Sequence, residues 1–115
     1  MGWTSYLFPK IHNSQVLQVG ETATVYELDI PASGIGFIDS VAGNYFLGIE
    51  WDWLIDGARV EPNKITRQLG LITTPTIYSP PLLVKSNIQF ICYNGATEAV
   101  EVEILCKGFI YVRSD

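Results

Sequence analysis

Glu50 and Asp52 stand two residues apart, interleaved with Trp51 and Trp53, in the stretch IEWDWLIDGARV from Ile49 to Val60. On an extended strand the two carboxylates share a face at a separation of roughly 6–7 Å, within the range for acids flanking a glycosidic bond. The tryptophans share the other face, and indole rings stack on sugars. With Asp56, the same acids are oxygen ligands of the type calcium takes, although no EF-hand loop surrounds them. Each chemistry has a plainer rival. Trp51 and Trp53 are in phase with Leu47, Ile49 and Ile55, so the pattern also describes the inward face of a packed strand whose acids meet water. On pattern, the wall is the stronger reading.

Other chemistry-bearing residues are sparse. His12 is the single histidine, so a Ser-His-Asp or Cys-His arrangement would depend on that one residue near the start of the chain. Cys92 and Cys106 lack the C-x-x-C spacing of a zinc site. Each lies in phase with apolar neighbours, Ile88 and Phe90 for the first, Val102 and Ile104 for the second. They read as two buried thiols, compatible with synthesis in a reducing cytoplasm. No catalytic, cofactor-binding or metal-ligating set is therefore expected, and no enzyme.

Period-two alternation dominates the elements around these residues. TATVYELDI places Tyr26, Leu28 and Ile30 on one face, and Pro31 ends the strand. GIGFIDSVA reads as a further strand. Asp56-Gly57 predicts a tight hairpin turn, since both central positions of a type I′ turn take positive φ. KITRQLGLI is open between a strand and a short helical turn. TTPTIYSPPLL is too rich in proline for a central strand and reads as an edge or an extended crossover. SNIQFICY and AVEVEILCKGFIYV flank the loop NGATE, which predicts a late hairpin with Val100, Val102 and Ile104 inward and Glu101 and Glu103 outward. Seven or eight short strands with this punctuation predict an all-β antiparallel sandwich of jelly-roll type.

At 115 residues the chain suits one domain. It is 48% hydrophobic and 17% charged, too apolar for disorder, and carries enough apolar surface to suggest cover by a partner. A net charge of −5, with seven scattered basic residues, argues against nucleic acid. No stretch approaches the roughly 18 apolar residues of a membrane span. The start MGWTSYLFPKIHN lacks the basic end and apolar run of a signal peptide, and Tyr6 stands where a myristoylation motif takes Ser or Thr.

LITTPTIYSPPLLVKSNIQFICYNGATEAVEVEILCKGFIYV resembles the C-terminal half of small β-sandwich structural proteins of tailed bacteriophages. The likeness lies in a proline-rich crossover (SPPLLVK), an Asn-containing loop (YNGATE) and a final strand ending near KGF, and WLIDGARV resembles the hairpin before the crossover. It covers residues 47 to 112 loosely, and its motifs are structural. The resemblance implies a virion component: a capsid decoration, head-fibre or tail protein, made in the host cytoplasm and working as a homo-oligomer, trimer or pentamer, among other virion proteins.

Residues 1–14 are expected to form an extended N-terminal arm on a single sandwich domain spanning 15–115. Trp3, Tyr6 and Phe8 on the arm, with Ile77 and Tyr78 in a loop, are the expected interface residues, since buried aromatics are the usual anchors of such contacts. The alternative expectation is a carbohydrate-binding module or receptor-binding tip with exposed rings stacking on sugar.

Overall fold

The alternation read from the sequence is realised as two facing antiparallel sheets. The computed structural model describes residues 2–114, among which there are nine strands and no helix. They are β1 (Gly2–Leu7), β2 (His12–Leu17), β3 (Thr22–Asp29), β4 (Gly34–Gly43), β5 (Ile49–Ile55), β6 (Ala58–Arg59), β7 (Thr76–Val84), β8 (Asn87–Asn94) and β9 (Val100–Ser114).

Four pairings nest one inside the next: β2 with β9, β3 with β8, β4 with β7, and β5 with β6. Together they form one long antiparallel hairpin, rolled so that β9 also meets β4 and β8 also meets β5. The products are a first sheet, β2-β9-β4-β7 with β1 also on β9, and a second sheet, β3-β8-β5-β6. This is jelly-roll wiring.

The core lies between the sheets. Trp51, Trp53, Phe90 and Tyr26 supply its largest buried side chains. Phe90 is the hub: Trp53 stacks on it at 5.0 Å between ring centroids, and Trp51 and Tyr26 meet it edge-on at 6.5 and 6.0 Å. Offset and edge-on pairs of this kind add to what area burial contributes. The stretch from Ile49 to Val60 is therefore a wall. Its turn forms as expected, with Asp56 at φ 53° and Gly57 at φ 82°, setting Ile55 opposite Ala58.

Several local expectations change. The strand count rises to nine because residues 2–7 and 12–17 pair end to end along β9, the 15-residue final strand. The late hairpin does not form: β8 lies in the second sheet and β9 in the first. Buried Asn94 makes the corner between them. Its amide nitrogen donates to the carbonyls of Leu17 and Glu98, each at 3.0 Å, and its oxygen accepts from the Ala96 amide at 2.9 Å. The chain is carried over the end of the sandwich instead of folding back in one sheet. Cys92 and Cys106 consequently belong to opposite sheets, both buried and both free. Residues 64–72 form neither helix nor strand, but isolated bridges such as Trp51 to Ile65 and Gly43 to Gly70. Ile77 and Tyr78 lie in β7, not in a loop, and β7 with its two prolines is an edge strand.

Candidate interaction surface

The acids that open the sequence argument lie on the outer face of the second sheet and are held by cations. Asp52 pairs with Arg59 at 2.9 Å, and Glu50 with Lys64 at 3.7 Å. Asp56 accepts from the backbone amides of Lys85, Ser86 and Asn87 and from the Ser86 hydroxyl. Burial alone would raise its pKa, but these donors outweigh it and hold the carboxyl below its ordinary value. Its role here is to tie the β5–β6 turn to the β7–β8 turn. His12 sits in β2, its Nε2 2.9 Å from a Glu103 carboxylate oxygen on neighbouring β9. Among the described residues, no group of three or more His, Cys, Asp or Glu could hold a metal ion.

The core holds its titratable groups neutral. Burial pushes the Cys92 and Cys106 thiols up to about 12. The Tyr26 hydroxyl is also raised, first by burial, and donates to the Lys10 carbonyl at 2.6 Å. Thiolates are the nucleophilic form of cysteine, so neither residue is poised to react.

The most distinctive surface is the outer face of the first sheet. Leu7 lies opposite Phe109, Phe109 opposite Phe37, and Phe37 opposite Leu83, so one apolar row crosses four strands. The adjacent row sets Ser5 beside Tyr111 and Tyr111 beside Ile35. Phe37, Phe109 and Tyr111 form a ring cluster with centroids 5.3, 5.9 and 5.4 Å apart. Trp3 closes one side of a shallow hollow of about 340 Å³ shared with Ile35, Phe37 and Tyr111. Contiguous exposed apolar patches of this kind are uncommon on an isolated domain.

The expected interface residues divide between the two sides of this sheet. Trp3 is on the outer face and 56% exposed. Ile77, 76% exposed, lies opposite Ser40, which lies opposite Lys107, and so belongs to the same outer face. Tyr6 lies opposite inward-facing Ile110 and remains partly exposed at the sheet edge. Phe8 and Tyr78 turn toward the core. Phe8 is 3% exposed, with its ring against Gly108, where the missing side chain of β9 leaves room. Tyr78 turns inward and meets Trp53 edge-on at 5.9 Å. Removal of residues 1–10 would therefore strip a core side chain as well as strand β1.

Phe37, Phe109 and Tyr111 were missed by the sequence reading, although a signal was present. GIGFI and GFIYV are apolar at both parities, the pattern of a strand with apolar side chains on both faces of its sheet.

The class defined by these observations is an all-β jelly-roll sandwich with a bare aromatic sheet face. No protein-family model matches the chain, and no curated protein matches it. Among solved structures it is similar to chains from infectious bursal disease virus. For the Gx strain structure, identity is 12% and the TM-score 0.49, covering 97% of this chain and 33% of that one. For the Gt strain, identity is 14% and the TM-score 0.47, covering 96% and 33%. For the VP2 subviral particle, identity is 12% and the TM-score 0.46, covering 97% and 33%. The chain thus spans about a third of the length of these chains.

Proposed function

We propose that the chain is a non-enzymatic structural protein of a virion, a capsid decoration or head- or tail-associated component, that works by self-assembly. The observation that carries the reading is the apolar row Leu7, Phe109, Phe37 and Leu83 across the outer face of the first sheet. A sandwich needs one apolar face per sheet to fold, so a second apolar face serves association. The phage-protein resemblance of residues 47–112 supplies the virion context.

The glycan-binding alternative has less support. The hollow beside Trp3 is lined by Trp3, Ile35, Phe37 and Tyr111, whereas a sugar site needs convergent polar groups among its rings.

Native mass across a dilution series tests the proposal. A closed oligomer of defined copy number is the expected result. A monomer at every concentration would overturn self-assembly.

A further inference from the structure

The outer face of the first sheet is apolar, and its central strand β9 is polarised in charge. Inward-facing Val102, Ile104, Cys106 and Ile110 fix the parity of β9, so its odd-numbered residues face out. Read along the strand, those residues are Glu101 and Glu103 at one end, the largely covered Leu105, and Lys107, Phe109, Tyr111 and Arg113 at the other. Along β9 one half is acidic and the other basic and aromatic, with His12 bonded to Glu103 in the first half and Asp39 on β4 lining a hollow with Lys107 in the second.

We propose that this face is the contact between two copies of the chain, packed sheet on sheet about a two-fold axis that sets β9 antiparallel to β9 of the second copy. The inference rests on the self-assembly part of the proposed function and names its surface. A two-fold axis near Gly108 brings Glu103 of each copy opposite Arg113 of the other and lays Lys107 over the Phe37–Phe109 rings. Opposite charges then meet at both ends, and each cation near the centre meets an aromatic face. The parallel arrangement sets like charge against like and is disfavoured. An isologous contact requires this self-complementarity, and the charge order along β9 supplies it.

The dimensions agree. Residues 103–113 span roughly 33 Å at about 3.3 Å per residue, and four strands at about 4.8 Å spacing span roughly 19 Å. Their product, roughly 600 Å² per copy or about 1,200 Å² in total, is at the lower end of specific interfaces. Sheets packed face to face keep their strands within about 30° of alignment, which preserves the overlap. The contact joins copies in pairs, free or between larger rings, and its modest area makes it sensitive to dilution.

A charge-swap experiment tests the contact without depending on exact register. One variant carries E101K and E103K, which makes both halves basic. A second carries K107E and R113E, which makes both halves acidic. Native mass is measured for wild type, each variant and their equimolar mixture, with far-UV circular dichroism confirming the fold of each. The expected result is a paired wild type, each variant at half its mass, and recovery of the paired mass on mixing. If the wild type pairs but the variants alone pair equally well, the surface assignment is overturned while self-assembly stands. If mixing restores nothing, the antiparallel arrangement is overturned. A wild type monomeric at all concentrations overturns both readings.

Discussion

Asp56 and Ser86, thirty residues apart, are joined twice at one carboxylate oxygen: the Ser86 amide donates to it at 2.7 Å and the Ser86 hydroxyl at 3.0 Å. With the amides of Lys85 and Asn87 also pointing at this carboxylate, one side chain secures two turns at the same end of the sandwich.

The carboxyl of Asp56 titrates below its ordinary value in the folded protein, so its contribution is fully present above the unfolded carboxyl pKa and is lost as pH falls through the lowered one. Thermal melts of wild type should fall through that acid range more steeply than those of Asp56→Ala. Asp56→Asn keeps an acceptor and tolerates positive φ, so it should melt between the two at neutral pH. Equal melting temperatures for all three at pH 7 would remove the clamp role.

Cys92 and Cys106, raised to about 12 by burial, should resist a thiol reagent in the folded protein at pH 8 and react fully in denaturant. Their folded pKa lies above the unfolded value of about 8.5. The neutral thiols therefore contribute stability that is complete below that value and lost as pH rises from there through about 12. Rapid labelling of the native protein at pH 8 would contradict the burial.

Gly108 has a side-chain requirement set first by the backbone of β4 and then by Phe8: a Cβ at position 108 would collide with the Phe37 carbonyl oxygen and stand 2.6 Å from the Phe8 ring. Gly108→Ala should destabilise by about 3 kcal/mol or more, above the usual overpacking cost because a ladder carbonyl must shift, and Phe8→Ala by about 3–5 kcal/mol through a cavity. The double variant should stay at least as unstable as Gly108→Ala alone, because the methyl still meets the Phe37 carbonyl once the ring is gone. Urea unfolding of the four proteins measures this, and a Gly108→Ala variant as stable as wild type would contradict the close approach of β4 to β9 at this position.

Trp51 and Trp53 are buried and Trp3 is exposed, so iodide should quench only part of the tryptophan emission. Trp3→Phe should abolish most of the quenching and leave a blue-shifted spectrum. Pairing through the first sheet should shield Trp3, so quenching of wild type should increase on dilution. Emission unchanged from high to low concentration would place Trp3 outside the contact.

Much of this molecule was legible in the chain because burial on one side of a strand imposes period two. That rule placed Tyr26, Leu28, Trp51, Trp53, Val102 and Ile104 inward, and the positive-φ demand of a two-residue turn placed Asp56-Gly57. Strand partners were not legible. Hydrogen bonds between strands join backbones that carry no identity, so neighbours in sequence suggested a β8–β9 hairpin where Asn94 turns the chain into the other sheet. Only the rolled pairing brings Leu7, Phe109, Phe37 and Leu83 into one row, from four strands as far apart as the two ends of the chain. The alternation of each strand is a local consequence of one buried side. The composition of a whole face is a property of register among distant strands, and register is decided by tertiary packing.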